Sequence, residues 1–173
     1  MIQEIIFTKD ECQEIMSFHS EYNRDQHYNN SSENQNEILY EASVLPKNPR
    51  TIFVFKKLFD FFENKSNKKL YRYPTEVFIM RYGKGDKFMK HSDTIADRVY
   101  SVGIQLTDEY KGGEYVIYKD DGFEIINRGI GNTYFMNSST LHEIKEIETG
   151  VRYSLVAFIH KNDLIEDKPK SLI

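Results

Sequence analysis

Residues 141–160, LHEIKEIETGVRYSLVAFIH, combine a histidine at their start with an arginine inside an apolar segment. The last ten residues are rich in β-branched and aromatic side chains and predict a β-strand. Successive side chains of a strand point to opposite faces, so Arg152 and Ser154 share one face. An arginine in an otherwise apolar strand is costly unless an anion pairs with it. Its planar guanidinium suits a carboxylate bound through two parallel hydrogen bonds, and the Ser154 hydroxyl can supply another.

Comparable segments recur along the chain from residue 76 onward. They are short, rich in β-branched and aromatic residues, and separated by Gly, Asp and Asn. The segments are EVFIMRY, YSVGIQLT, GEYVIY, GFEIIN and GNTYFMN, at residues 76–82, 100–107, 113–118, 122–127 and 131–137. Several short strands at this spacing indicate a sandwich or barrel, including the double-sheet jelly roll.

Two helices are predicted before these strands. Residues 8–21 predict the first helix, because Thr8 and Glu11 form the capping-box pattern at its start. Residues 49–64 predict the second helix, with Asn48 as its cap and a proline at its first position. The predicted fold is therefore α+β and mainly β. It is a double-stranded β-helix, or jelly roll, with N-terminal helices packed on one sheet.

The predicted organisation is a single domain over residues 1–173. It consists of a helical N-terminal part (1–75), a jelly-roll core (76–160) and a short C-terminal tail (161–173). Residues 22–37 are polar and rich in Asn and Ser, so they predict a flexible loop or a lid.

The composition limits the class of protein. The formal net charge of −4 disfavours nucleic acid as a partner, because proteins that bind the phosphate backbone usually carry a basic excess. Cys12 is the only cysteine, which excludes an intrachain disulfide and favours a reducing compartment. The sequence has no apolar run approaching the roughly 20 residues of a membrane span. We therefore expect a soluble, cytoplasmic protein with no membrane partner.

The segment KFMKHSDTIADR, residues 87–98, places His91 and Asp93 one residue apart. If the segment ends a strand, both side chains point to the same side and can converge on one point. Taken alone, the pair is equally compatible with a polar turn. His142 stands where a later strand begins, and two histidines with one carboxylate form the facial triad of non-haem Fe(II) oxygenases.

Three stretches together resemble the 2-oxoglutarate/Fe(II)-dependent dioxygenase superfamily, and within it the prolyl 4-hydroxylase-like branch. They are FIMRYGKGDKFMKHSD, YSVGIQLTDEYKGGEYVIY and GIGNTYFMNSSTLHEIKEIETGVRYSLVAF, which stand in family order within residues 76–160. The resemblance implies His91, Asp93 and His142 as iron ligands. It also implies Fe(II) as the cofactor and 2-oxoglutarate and O₂ as cosubstrates, with a C–H bond hydroxylated while 2-oxoglutarate is converted to succinate and CO₂.

The same resemblance implies roles for residues around the iron. Arg152 would bind the distal carboxylate of 2-oxoglutarate, with Tyr82 and Ser154 as further contacts. Gln105 stands where these enzymes often carry a second cosubstrate-binding tyrosine. The candidate substrate contacts are Asn137 and Arg98. The implied substrate is a prolyl or other amino-acid side chain of a protein, a peptide or a small molecule.

Two other functions are compatible with this pattern. The first is a nucleic-acid oxidative demethylase of the same superfamily, a branch that typically carries a second arginine six positions after the cosubstrate arginine. Phe158 occupies that position here, which disfavours this function, as does the net charge. The second is a non-catalytic jelly-roll protein that binds a metal or another ligand, and succinate production would distinguish it from an enzyme. The sequence leaves the oligomeric state undetermined.

Overall fold

The computed structural model describes residues 2–22 and 38–165, which form two helices, thirteen strands and one 3-10 turn. The helices are α1 (Lys9–Tyr22) and α2 (Ile52–Ser66), and the 3-10 helix covers Lys161–Asp163. The strands are β1 (Ile2–Ile5), β2 (Ile38–Leu39), β3 (Glu41–Val44), β4 (Glu76–Tyr82), β5 (Lys87–His91), β6 (Arg98–Gln105), β7 (Tyr110–Gly112), β8 (Tyr115–Lys119), β9 (Gly122–Ile125), β10 (Asn132–Asn137), β11 (His142–Ile144), β12 (Ile147–Gly150) and β13 (Arg152–His160).

The strands assemble into two antiparallel sheets that face each other. The larger sheet has the order β1-β10-β6-β13-β4-β3, and the smaller one has the order β2-β5-β11-β8-β9. Strands β7 and β12 form a separate two-stranded ribbon. The tyrosines and aliphatic residues between the two sheets form one apolar cluster, so the sheets pack as the layers of a sandwich. The predicted mainly β jelly roll is confirmed.

Strand β13 lies inside the larger sheet, paired with β4 on one side and β6 on the other. Its side chains alternate as the sequence predicts. Arg152 and Ser154 line the space between the two sheets. Leu155 and Ala157 point to the opposite face, where they join a separate apolar cluster. One strand therefore supplies both the helix-covered core and the wall of a cavity.

The two helices cover the outer face of the larger sheet. From α1, Ile15 and Phe18 are fully buried, and from α2, Val54 and Leu58 are buried against the same cluster. Burying a side chain of this size contributes about 1.5–3 kcal/mol to folding. The predicted packing of N-terminal helices on one sheet is therefore confirmed, and the inner face of that sheet remains available for a site.

The starts of the two helices compare differently with their predictions. The capping box of α1 is present, because Glu11 accepts a hydrogen bond from the Thr8 N–H at 2.8 Å and Thr8 accepts one from the Glu11 N–H at 3.2 Å. The second helix begins at Ile52, three residues later than predicted. The Asn48 side chain caps the preceding turn instead, where its Oδ1 accepts the Arg50 N–H at 2.9 Å.

Strand prediction missed elements whose pairing is set by distant residues. Strands β1, β7 and β12 were not predicted, and each pairs with a strand far along the chain. The segment ILYEASVL, residues 38–45, has the composition of one strand, but it is divided at Tyr40 into β2 and β3, which belong to different sheets. This division lets the chain cross from the smaller sheet to the edge of the larger one.

Some predictions concern residues beyond the described part. The polar segment predicted as a loop or lid lies outside the described residues, except for Tyr22 at the end of α1. The last residues of the predicted tail, from 166 onward, are also outside them.

Among the helices of residues 2–22 and 38–165, none is long and apolar enough to cross a membrane.

A glycine is required at position 103, in β6, because the Tyr134 ring packs directly against it. An added Cβ at this position would lie 2.0 Å from Cζ of Tyr134. We expect Gly103→Ala to lower the free energy of unfolding by about 1–3 kcal/mol, because the buried tyrosine ring has to move within a packed interior. Gly83→Ala is the matched control, since its nearest atom would be 3.5 Å away. Equal unfolding midpoints of the two variants in guanidinium chloride would contradict this account.

Candidate active site

The pairing of β5 with β11 places two of the predicted ligands side by side. His142 stands opposite His91 in the register of these antiparallel strands. The chain leaves β5 after His91, and the N–H of Asp93 then donates a hydrogen bond of 2.8 Å to the carbonyl of Ser138. This backbone bond holds Asp93 against the loop that precedes β11. The three side chains therefore meet because two distant segments are tied together, and not because of the local His-x-Asp spacing alone.

The three side chains form a cluster with the dimensions of a metal site. One ligand atom from each of His91, Asp93 and His142 lies within 4.8 Å of the others. Nε2 of His91 is 3.6 Å from Oδ1 of Asp93, and Nε2 of His142 is 3.6 Å from Oδ2 of the same carboxylate. Two imidazoles and a carboxylate in this arrangement match the donor set of non-haem Fe(II) sites.

The backbone fixes the orientation of both imidazole rings. Nδ1 of His91 lies 2.7 Å from the carbonyl oxygen of Met89, and Nδ1 of His142 lies 2.9 Å from that of Thr140. A carbonyl can only accept, so each Nδ1 carries the proton and donates it. In the neutral form of each ring, Nε2 then carries the lone pair and faces the centre of the cluster, as metal ligation requires.

The protonation states of the cluster also suit a cation. Burial raises the pKa of the Asp93 carboxyl, but its contacts with His91, His142 and Ser101 outweigh burial and hold that pKa below its ordinary value. Burial lowers the pKa of His142, and the nearby Asp93 charge opposes this only in part. Near neutral pH the carboxylate is ionised and His142 is neutral, which are the forms that bind metal ions.

Arg152 lies at the other end of the same cavity. The guanidinium is almost completely buried, and its Nη1 donates a hydrogen bond of 3.1 Å to Oγ of Ser154. Its Nε and Nη2 have no hydrogen-bond partner among residues 2–22 and 38–165. A buried cation with two unpaired donors is strongly destabilising unless an anion binds there. Two adjacent N–H groups suit one carboxylate.

The cavity joins the two ends. It has a volume of about 340 Å³, and its walls include His91, Asp93 and His142 as well as Arg152 and Ser154. The space lies between the two sheets. Its lining residues Glu76 and Phe158 stand at the ends of β4 and β13 farthest from Arg152, and the lining residue Ile95 is exposed, so we take this end as the mouth of the cavity. A small dicarboxylate can therefore contact the metal cluster with one end and the guanidinium with the other.

Three buried tyrosines surround the guanidinium. Cζ of Arg152 is 5.4 Å from the ring centroid of Tyr82 and 5.9 Å from that of Tyr115, whose ring is 4.5 Å from Tyr134. Burial raises the pKa of all three phenols, so they remain protonated hydrogen-bond donors. Sequence reasoning singled out Tyr82 but missed Tyr115 and Tyr134. The available signal was the position of Tyr115 in GEYVIY and of Tyr134 in GNTYFMN, since residues at alternate positions of a strand share one face.

Gln105 is buried beside Ser154 but does not border the cavity. It pairs with Ser154 across β6 and β13, and its Oε1 lacks a hydrogen-bond partner within the described residues. The residues that line the cavity include Ser154 and not Gln105. A contact between Gln105 and 2-oxoglutarate therefore stays a prediction.

The structure separates the two candidate substrate contacts. Arg98 lines the mouth of the cavity, where it stacks on Phe158 with Cζ 3.7 Å from the ring centroid. Its Nε and Nη2 donate hydrogen bonds of 2.7 Å and 3.0 Å to the two carboxylate oxygens of Glu76. Asn137 lies in a different groove, which is lined by residues of β8 and β10 together with Lys90. Only Arg98 is thus brought to the cavity.

The fold and this site can be compared with known proteins. Residues 77–160 match the family model described as the 2OG-Fe(II) oxygenase superfamily. A PKHD-type hydroxylase from Parvibaculum lavamentivorans is 25% identical over 89 residues, which cover 48% of this chain and 41% of that protein. The match thus spans less than half the length of this curated relative.

Solved structures of similar shape support the fold. A prolyl-4-hydroxylase from Pseudomonas putida has a TM-score of 0.75 at 13% identity, covering 92% of this chain and 91% of its own. A prolyl hydroxylase from Trichoplax adhaerens, solved in complex with a hypoxia inducible factor peptide fragment, has a TM-score of 0.69 at 15% identity. That match covers 94% of this chain and 84% of the Trichoplax chain.

The family match and the fold lead to one assignment. The matched residues contain the His-Asp-His cluster and the buried guanidinium of Arg152, which fit a metal ion and a carboxylate ligand. The family match and the ligand set support the predicted dioxygenase class, with Fe(II) as its cofactor and 2-oxoglutarate and O₂ as its cosubstrates. Residues 77–160 of this chain thus match the model of the 2OG-Fe(II) oxygenase superfamily, and the chain has the fold of the prolyl 4-hydroxylases.

Proposed function

We propose that this protein uses Fe(II), 2-oxoglutarate and O₂ to hydroxylate a C–H bond of a prolyl or other amino-acid side chain in a protein, a peptide or a small molecule. The observation that carries the proposal is the buried guanidinium of Arg152, in the same cavity as the His-Asp-His cluster, with two N–H groups that have no partner in the described part of the chain. An anion-binding group and a metal-binding group at opposite ends of one small cavity suit a dicarboxylate that also chelates the metal.

In this proposal, His91, Asp93 and His142 hold the iron. When bound, the iron couples the oxidative decarboxylation of 2-oxoglutarate to hydroxylation, so that one atom of O₂ enters succinate and the other enters the product alcohol. The fixed Nδ1–H bonds of the two histidines keep the ligand atoms aimed at one point without the metal. The protein thereby prepares the site before the ion binds.

Arg152 binds and orients the cosubstrate. Its Nε and Nη2 are the free donors for the distal carboxylate, while Ser154 occupies Nη1 and limits rotation of the guanidinium. The buried phenol groups of Tyr82, Tyr115 and Tyr134 supply further donors at this end of the cavity. Exclusion of water strengthens each of these charge-assisted bonds.

The mouth of the cavity supports an uncharged, apolar substrate group. Phe78, Val156 and Phe158 form its wall on the larger sheet. The charge of Arg98 is matched by the Glu76 carboxylate through two hydrogen bonds, so this end offers little net charge to a phosphate. A prolyl ring or an aliphatic side chain fits such a wall. The similarity in fold to prolyl hydroxylases, one of them solved with a peptide, supports the same choice.

The metal assignment predicts the loss of one binding site. We expect His91→Ala and His142→Ala each to abolish stoichiometric binding of Fe(II) or Mn²⁺, because two remaining ligands hold a divalent ion weakly. His160→Ala is the matched control, since the His160 ring bonds to Ala96 and Glu76 instead. Anaerobic isothermal titration measures all three variants. Wild-type affinity in both ligand variants would remove the cluster from the proposal.

The cosubstrate assignment predicts a large loss from one arginine. Removing one partner of a buried charge pair costs about 3–5 kcal/mol. We therefore expect Arg152→Ala to weaken 2-oxoglutarate binding at least about a hundredfold, at 1.4 kcal/mol per factor of ten. Arg152→Lys should retain part of the affinity without the two-bond geometry.

The control for this experiment is Arg81→Ala. Arg81 also lies on a strand next to β13, but it pairs with Glu41 and does not line the cavity. Binding of 2-oxoglutarate to the Mn²⁺-loaded protein is the readout for every variant. If Arg152→Ala binds as tightly as wild type, another group holds the distal carboxylate.

The substrate assignment is tested by product formation. Proline-containing peptides, free amino acids and methylated oligonucleotides are incubated with Fe(II), 2-oxoglutarate and O₂. We expect succinate and a product heavier by one oxygen atom with peptides or amino acids, and neither with His91→Ala. Turnover of oligonucleotides alone would overturn the proposed substrate class. Absence of substrate-dependent succinate with every compound would favour a non-catalytic ligand-binding protein.

A further inference from the structure

Asp93 has a buried hydrogen-bond donor that neither the metal cluster nor the cosubstrate end accounts for. Oγ of Ser101, on β6, donates a hydrogen bond of 2.7 Å to Oδ2 of Asp93. Oγ of Ser138 lies 3.5 Å behind Oγ of Ser101, so the two hydroxyls form a short chain that ends on the carboxylate. Both serines are almost completely buried. Ser138 also accepts the Asp93 N–H through its carbonyl.

The surroundings of Ser101 make a purely structural role a poor explanation. Its neighbours across the sheet are Phe158 on β13 and Met136 on β10, which are both apolar. A buried hydroxyl among apolar neighbours destabilises the fold unless it is hydrogen-bonded. An alanine would fill this position without that requirement. The hydroxyl is therefore explained by its partner, the Asp93 carboxylate.

The position of the carboxylate shows what the hydroxyl can control. Its two oxygens each face one histidine, with Oδ1 3.6 Å from His91 Nε2 and Oδ2 3.6 Å from His142 Nε2. A carboxylate that faces the centre with both oxygens can bind an ion through one oxygen or through both. The bond from Ser101 occupies a lone pair of Oδ2 and draws on its charge, which leaves Oδ1 as the better metal ligand.

The number of ligand positions gives this choice a consequence. An octahedral ion bound by two histidines and one carboxylate oxygen has three positions left. A chelating 2-oxoglutarate needs two of them and O₂ needs the third. A carboxylate bound through both oxygens would take one of the three, in competition with the cosubstrates.

We propose that Ser101, supported by Ser138, is a positioning residue that keeps Asp93 bound to the metal through a single oxygen and so keeps a position open for the cosubstrates. This inference rests on the proposed metal and 2-oxoglutarate site. It predicts that loss of the hydroxyl damages 2-oxoglutarate binding and not metal binding. A residue that served only the fold would not separate these two affinities.

The test compares Ser101→Ala, Ser101→Thr and Ser138→Ala with wild type. Mn²⁺ affinity, 2-oxoglutarate affinity of the Mn²⁺-loaded protein and the thermal unfolding midpoint are measured for each. We expect Ser101→Ala to bind Mn²⁺ at least as tightly as wild type but 2-oxoglutarate at least about tenfold more weakly, as suits the loss of a hydrogen bond to a charged group. Ser101→Thr keeps the hydroxyl and should recover most of the loss.

Ser138→Ala should act in the same direction with a smaller effect, because the Ser138 hydroxyl reaches Asp93 only through Ser101, and the backbone bond from Asp93 to the Ser138 carbonyl is kept. The absorption spectrum of the Co²⁺-loaded protein adds a direct readout of coordination, and we expect it to differ between Ser101→Ala and wild type before 2-oxoglutarate is added. Parallel losses of Mn²⁺ and 2-oxoglutarate affinity in Ser101→Ala would overturn the inference. So would unchanged 2-oxoglutarate affinity, or a folded Ser101→Thr that behaves like Ser101→Ala.

The outcome for wild type separates this inference from the proposed function. Wild-type protein that binds neither Mn²⁺ nor 2-oxoglutarate overturns both. None of the four readouts uses a hydroxylation substrate, so a failed substrate screen overturns the proposed substrate class alone.

Discussion

Strand β13 has to bury both of its faces, and the two faces meet opposite requirements. Leu155 and Ala157 pack under the helices, where any polar atom would lack a partner. Arg152 and Ser154, on the other face, line the cavity between the two sheets with polar groups. Because side chains alternate strictly along a strand, a register shift of one residue would exchange the two sets. The apolar core thus fixes the register of β13, and the register in turn places the guanidinium inside the sandwich.

The same constraint decides how much of the molecule can be predicted from its sequence. Period-two patterns are local, so the strand from Glu76 to Tyr82 and the two faces of β13 are predictable from composition and alternation. Pairing partners are not local. Strands such as β7 and β12 have short, weakly apolar sequences, and they exist because each finds the other across the fold. The division of ILYEASVL at Tyr40 likewise depends on which sheet each half meets.

The residues of the site can likewise be divided into those that are predictable from the sequence and those that are not. The types and spacing of His91, Asp93 and Arg152 are visible in the sequence, because few other roles explain them together. The serine that orients Asp93 is not visible, since Ser101 approaches it only through the pairing of β6 within the sheet. The charge balance at the mouth is similarly hidden. Arg98 looks like a free cation in the sequence, but Glu76 neutralises it through two hydrogen bonds.

The polar groups at the two ends of the cavity also affect the stability of the ligand-free fold. Two guanidinium N–H groups of Arg152 are buried without partners in the described residues, and the Asp93 carboxylate is buried against two imidazoles. The unpaired N–H groups of Arg152 destabilise the ligand-free protein, and this cost is relieved when an anion binds. The contacts of Asp93 with the two imidazoles and Ser101 instead favour its ionised form, which is the form that binds a cation. Part of the binding free energy of an anion therefore comes from pairing buried N–H groups that lack a partner in the described residues. The apolar core under the helices makes this possible, because it stabilises β13 from the face that the ligands never touch.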